Sequence, residues 1–174
     1  MHQEECKDNM DRLNYKTLKS IKYDKYILYE GIERIIQFGT GNFLRAFVDY
    51  FVDVMNERAS FDAKAVMVQT HSVETKSEIN EQDGLYTLIT RGNDKGKKID
   101  ESRIISSVSR VINPYKEYEN YLALAKNPDF RFIVSNTTEA GIIFDEDCKF
   151  DDKPAKSFPG KLCQLLYERY KKAA

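Results

Sequence analysis

A chain of 174 residues, 41% hydrophobic and 32% charged, has room for one well-cored globular domain and too little for two of ordinary size. The 27 basic and 28 acidic residues leave a formal net charge of -1, so no global field draws the chain to nucleic acid or to an anionic membrane. Cys6, Cys148 and Cys163 are scattered and, with only His2 and His71, match neither a disulfide framework nor a zinc spacing. No stretch approaches the ~20 apolar residues of a membrane span, and the polar start lacks a signal-peptide core. These features predict a reduced, cytoplasmic protein without a structural metal.

Residues 1 to about 30 alternate charge with tyrosine and leucine and read as a leader, with short ordered pieces lying against the domain that follows. Residues 34–38, RIIQF, form a compact apolar run ended by glycine, the pattern of a buried strand. Beyond Gly39-Thr40-Gly41, the residues Phe43, Leu44, Phe47, Val48, Phe51, Val52 and Met55 fall on one side of an amphipathic helix, with Asn42 as its N-cap. Residues 63–69 give a second strand. A polar connection over 71–84 holds a short helix around 74–81, and residues 85–90 make another strand. Residues 91–96 are rich in types that accept positive φ and predict a turn. One or two short strands follow over 99–111, and Pro114 opens a helix over 115–126. Residues 130–135 predict a strongly buried strand, and 145–157 a polar loop. A last helix covers 160–172, with Leu162, Leu165, Leu166 and Tyr170 on one side. This alternation predicts an α/β fold, a Rossmann-like, doubly wound and mainly parallel sheet covered on both faces, with extra strands inserted.

The stretch that carries chemistry is 39–45, GTGNFLR. A dinucleotide site requires a sharp turn after the first strand and then close approach of backbone to a diphosphate, and glycine permits both. The helix that follows aims free N–H groups and the positive end of its dipole at the phosphates. Gly39 and Gly41 take the first two fingerprint positions, while Leu44 takes the third, where glycine is usual. On spacing alone, a tight strand–helix turn without ligand competes with this reading. At the end of the second strand, where an acid usually binds the ribose, stand Gln69 and Thr70, with no carboxylate until Glu74. Gln69 could take that role or simply face solvent, so NAD cannot be told from NADP on this signal. Asn136, Thr137 and Glu139 follow the 130–135 strand and face the same crevice if that strand neighbours the first; otherwise they cap a local turn. His71 reads as a loop histidine, and the acids of 145–152 as a solvated loop whose spacing misses the Ca²⁺ pattern.

Four separated motifs resemble one family: RIIQFGTGNFLRAFVD at 34–49, QDGLYT at 82–87, FIVSNTTEAGI at 132–142, and KFDDKPA at 149–155 followed by Phe158-Pro159. Together they are similar to the tagaturonate reductase (altronate oxidoreductase) branch of the mannitol dehydrogenase family, the polyol-specific long-chain dehydrogenases. That family's G-x-G-x-F-x-R pattern accounts for the missing third glycine. The resemblance implies NAD as cofactor and reversible hydride transfer between D-altronate and D-tagaturonate in hexuronate breakdown, with no metal in the chemistry. It assigns Gly39, Gly41, Asn42, Phe43 and Arg45 to the diphosphate turn, in which Thr40 and Leu44 also stand, and Asn136, Thr137 and Glu139 to the cofactor side; Gln69 joins these candidates from its place at the end of the second strand. It implies a nucleotide-binding domain over 31–174 and a helical C-terminal domain that carries a catalytic lysine with asparagine and histidine and binds the sugar-acid substrate. No lysine of this chain stands in that context, so the chain reads as a fragment with no catalytic residue. A related mannonate or mannitol dehydrogenase, or a non-catalytic NAD-binding module, are the alternatives.

Overall fold

The computed structural model describes residues 11–71 and 78–173. In chain order the elements are α1 (Tyr15–Ser20), β1 (Ile32–Phe38), α2 (Asn42–Ala59), β2 (Ala63–Val68), α3 (Glu78–Glu81), β3 (Tyr86–Asp94), β4 (Lys97–Ile105), β5 (Val108–Ile112), α4 (Tyr118–Ala123), β6 (Phe132–Ser135) and α5 (Phe158–Ala173). Strands β5, β2, β1 and β6 form one parallel sheet in that order, and β3 and β4 pair separately as an antiparallel hairpin. The chain moves from β1 outward through β2 to β5, then returns to the other side of β1 as β6. The strand order therefore reverses between β1 and β6, which makes the sheet doubly wound and Rossmann-like, with the hairpin as the expected extra strands.

Alternation along β1 and β2 builds the two layers. Ile36, Phe38, Val66 and Val68 point to one face and pack with Tyr121, Leu124, Phe130 and Leu165 from the α4 and α5 side. Ile35 and Ala65 point to the other and meet Val52 of α2, while Met67 meets Ile79, Tyr86 and Ile105. The hairpin is fastened to α2 by a buried carboxylate. Asp53 Oδ1 accepts from the Ser106 backbone N–H at 2.8 Å and from its hydroxyl at 2.9 Å, and Arg103 Nε donates to Asp53 Oδ2 at 2.7 Å. Gly84, with φ of +82°, lies directly against the Val108 carbonyl, which brings residues 82–87 onto β5.

Several elements depart from the sequence reading. The seven apolar residues expected on one side of α2 divide between two faces: Leu44 and Val52 are buried with Asp49, Asp53 and Asn56, whereas Phe43, Phe47, Phe51 and Met55 are 40–59% exposed. Of these buried polar residues, Asn56 is satisfied by distant backbone, exchanging bonds of 2.8 and 2.9 Å with Ala63. The 91–96 turn contracts to Lys95 and Gly96, both at positive φ, because a two-residue turn suffices to join strands that remain paired through Asp94 and Lys97. The helix after Pro114 starts three residues later than expected. Asn113 first makes a turn, accepting from the Tyr115 N–H at 3.0 Å and donating its own N–H to the Glu117 carboxylate at 3.1 Å. β6 has the composition of a strand buried on both faces, yet it is the sheet edge, and Phe132 and Ile133 are nearly half exposed. On α5, Leu165 points inward while Leu166 and Tyr170 face out. The short helix expected around 74–81 is seen as α3 at Glu78–Glu81; residues 72–77 lie outside the described residues, as do 1–10.

The segment from residue 11 to β1 lies against the hairpin. Leu18, 2% exposed, packs with Leu85 and Ile104, flanked by Tyr15, Tyr23 and Ile27. Lys64 Nζ donates to the Tyr15 hydroxyl at 2.9 Å and to the Tyr29 carbonyl at 3.2 Å, and burial pushes the Tyr15 phenol up to about 12. Truncating this anchor with Leu18→Ala is expected to lower stability by about 2–4 kcal/mol, measured by urea denaturation. A change below about 0.5 kcal/mol would mean that the segment is merely apposed.

Candidate functional site

The site forms where β1 ends. Gly39 has φ of +119°, a conformation that side chains rarely adopt, and its N–H donates to the Val68 carbonyl at 2.9 Å. A Cβ there would stand 3.3 Å from Leu44 Cδ1. Leu44 thus fills the space where the usual third glycine would let helix and strand close, and it is itself buried. Gly41 differs: its φ of -72° suits any residue, and a Cβ added to it would meet nothing within 4 Å. The fold itself places no demand for glycine at 41.

Gly41 also corrects the expected N-cap. Its carbonyl accepts the first helical bond, from the Arg45 N–H at 3.2 Å, and no side chain caps the helix. Asn42 is the first helical residue, and its side-chain oxygen accepts from the Arg45 guanidinium instead. The leading N–H groups of an 18-residue helix, with its dipole, therefore face the opening without a side-chain cap.

That opening is part of a cleft of about 1130 Å³ at the carboxyl ends of β1, β2 and β6. It brings together Gly39, Thr40, Gly41, Arg45, Gln69, Asn136 and Thr137 from the sequence-derived set. β6 does neighbour β1, which was the condition for Asn136 and Thr137 to share the crevice. Asn136 Oδ1 lies 3.9 Å from the point a Gly39 Cβ would occupy. Four residues of the set do not line the cleft: Leu44 is buried in the core, Phe43 points outward, Asn42 is turned to Arg45, and Glu139 begins a short 3-10 turn. Gln69 is largely buried and donates its amide to the His71 carbonyl at 2.9 Å, bracing its own strand end. Thr137 also closes a local turn, its N–H donating to Ser135 Oγ at 3.2 Å.

Sequence reasoning missed the far wall. Lys156, Ser157 and Phe158 line the cleft at the start of α5, and Thr70 and His71 stand at the end of β2. The signal for the first group is in Phe158-Pro159, which ends the fourth motif, while Lys156 and Ser157 fall in the segment read as polar loop. Of the acids of 145–152, Asp145 accepts from the Asp147 N–H at 3.2 Å at the edge of the cleft, and Asp152 from the Lys149 N–H at 2.9 Å in a local turn.

Beneath the turn is a closed polar cluster. Gln37 on β1 and Asp49 on α2 are fully buried, and Tyr86 on β3 nearly so. Gln37 Nε2 donates to the Gly39 carbonyl at 3.3 Å and to Asp49 Oδ2 at 3.4 Å. The Tyr86 hydroxyl lies 2.7 Å from the Arg45 carbonyl and 3.3 Å from Asp49 Oδ2. Burial pushes the Asp49 carboxyl up to about 7, against the opposing pull of Gln37, Tyr86 and Arg45.

Comparison with known proteins agrees with this geometry. Residues 33–174 match the model of the mannitol dehydrogenase Rossmann domain. Altronate oxidoreductases from Cronobacter sakazakii and Phocaeicola vulgatus are 52% and 51% identical over 139 residues, 79% and 80% of this chain. The chain spans 29% of the length of those relatives. Among solved structures, mannitol 2-dehydrogenase of Pseudomonas fluorescens, determined with NAD and D-mannitol, shares the fold with a TM-score of 0.76 at 22% identity, over 94% of this chain and 37% of that one. A D-sorbitol dehydrogenase matches with a TM-score of 0.65 at 20% identity, over 93% of this chain and 37% of that one. By the extent of the family match, the chain belongs to the mannitol dehydrogenase family, as its Rossmann domain.

Proposed function

We propose that this chain is the cofactor-binding part of a cytoplasmic NAD-dependent oxidoreductase that interconverts D-tagaturonate and D-altronate. The observation that carries the reading is the open space at Gly41, in front of an uncapped helix end and at the point where the strand order reverses. The diphosphate of NAD lies there against the amides of residues 41–44, with Gly39 and Thr40 forming the turn. Arg45, Gln69, Asn136 and Thr137 flank it, and Glu139 stands just outside. Bound NAD supplies the hydride chemistry; the residues of this chain bind and orient it. The relatives named altronate oxidoreductase favour the sugar-acid substrate over mannitol. NADH titration of the wild-type chain against Gly41→Asp tests the cofactor assignment.

Substrate binding and proton transfer belong to the remainder of the full-length protein. The ladder of Phe43, Phe47 and Phe51 on α2, with ring centroids 5.5 and 4.7 Å apart, and the exposed Phe132 and Ile133 of edge strand β6 are apolar surfaces suited to packing against it. The 174-residue chain alone is therefore expected to consume no NADH in the presence of tagaturonate. Measurable turnover by the purified chain would place the catalytic groups within these residues and overturn the division of labour.

A further inference from the structure

The buried cluster under the turn has too many acceptors for its donors. An ionised Asp49 presents about four lone-pair sites. The Tyr86 hydroxyl has one proton, and the shorter of its two contacts, 2.7 Å, is to the Arg45 carbonyl. Gln37 Nε2 divides long bonds between the Gly39 carbonyl and Asp49 Oδ2. Asp49 Oδ1 and Gln37 Oε1 are both buried and without a partner. A carboxylate ion left with one long hydrogen bond in a fully buried position is strongly disfavoured. A single added proton removes the buried charge and adds the missing donor. On Oδ2 it is donated to the phenolic oxygen of Tyr86, 3.3 Å away, whose own proton is on the Arg45 carbonyl.

The surrounding charges do not replace that proton. From β1 the carboxyl is faced by Gln37 and from β3 by Tyr86; Ser107, before β5, donates its hydroxyl to the Asp49 carbonyl at 2.7 Å. On α2 itself, Asp53 one turn on is held by Ser106 and Arg103, and the Arg45 guanidinium lies over the Tyr86 ring, 5.6 Å from its centre, and bonds Asn42. We propose that Asp49 is a positioning residue that works as the neutral acid: its proton completes the Gln37–Asp49–Tyr86 cluster, which fixes the Gly39 and Arg45 carbonyls of the diphosphate turn and ties nucleotide affinity to its own protonation. This rests on the nucleotide reading above. Asp49 does not line the cleft and takes no part in proton transfer to substrate.

The sign follows from charge. Asp49 is seven residues past the first helical residue, ~10 Å along the axis from the arriving diphosphate. An ionised Asp49 repels that dianion and a neutral one does not. Nucleotide therefore raises the pKa of Asp49, and affinity is highest below the free-state value of about 7 and falls as pH rises through it.

The test is the NADH dissociation constant from pH 6 to 9 for wild type, Asp49→Asn and His71→Gln, the last removing the histidine of the cleft as a rival source of pH dependence. Wild type is expected to lose affinity about tenfold across the range. His71→Gln keeps that slope whatever its absolute affinity, and Asp49→Asn is flat. A flat wild type, a slope that persists in Asp49→Asn, or one that vanishes in His71→Gln overturns the coupling. Carbon-13 NMR of the Asp49 carboxyl in the nucleotide-free chain reads the proton separately: titration near neutrality supports the acid, and titration below pH ~5, with ordinary aspartates, overturns it. Absence of NADH binding at every pH sinks the nucleotide reading and the coupling together, while the carboxyl titration still judges the buried acid.

Discussion

Gly41→Asp is expected to weaken NADH binding severely while leaving the domain folded and at least as stable. A Cβ at 41 meets nothing within 4 Å, and the backbone there is ordinary, so the substitution introduces no strain. Gly41 is the N-cap of α2 and makes no side-chain capping bond. Aspartate is among the best N-caps, gaining a few tenths of a kcal/mol over glycine, with a further ~0.3–1 kcal/mol from the helix dipole. The same carboxylate occupies the amides that the diphosphate needs. At ~4 Å and an effective dielectric of about 20, one unit-charge repulsion costs about 4 kcal/mol, so affinity should fall by two to three orders of magnitude. Paired NADH titration and thermal melting read both effects. Affinity within threefold of wild type would remove the proposed site, and a collapse of the melting transition would show that glycine at 41 serves the fold.

The largest loss of stability is expected from Gly84→Ala. Gly84 has φ of +82°, and a side chain in left-handed backbone costs roughly 1–2 kcal/mol. A Cβ there also runs into the carbonyl oxygen of Val108, with the backbone of Ser109 close behind. Backbone within a paired strand cannot swing aside as a flexible side chain can, so either β5 shifts or residues 82–86 lift away. Lifting them exposes Leu85, which is wholly buried, and withdraws the Tyr86 hydroxyl from the Arg45 carbonyl. A loss of about 3 kcal/mol or more follows, a large share of the ~5–15 kcal/mol available to a domain. Urea denaturation measures it. A loss below about 1 kcal/mol would mean that this contact is easily relaxed and that the glycine of QDGLYT has another purpose.

The parts of this molecule legible in its sequence are those written locally. The apolar run before Gly39 marks β1, the positive φ of Gly39 answers to a glycine, and the hydrophobic strands announce a parallel sheet with an inserted hairpin. The face of α2 was not legible, because its apolar residues outnumber one stripe and periodicity cannot say which stripe meets the sheet. Burial of Asp49, Asp53 and Asn56 depends on Tyr86, Ser106, Arg103 and the Ala63 backbone, partners supplied by the tertiary fold. β6 misled for a related reason: its composition reports a strand with both faces covered, and here it is the sheet edge, with Phe132 and Ile133 exposed on opposite faces. In the cleft, the glycines and Asn136 follow from strand ends. Lys156 and Ser157 come from a loop whose path depends on where α5 docks.

The central claim is that a dinucleotide diphosphate rests on the bare amides at the start of α2. Nitrogen-15 NMR of the labelled chain during NADH addition addresses it residue by residue. The account predicts saturable shifts that are largest at the amides of Thr40, Gly41, Asn42 and Phe43, with a second group at Asn136 and Thr137. Shifts that fail to saturate, or that cluster away from the carboxyl ends of β1 and β6, would contradict it.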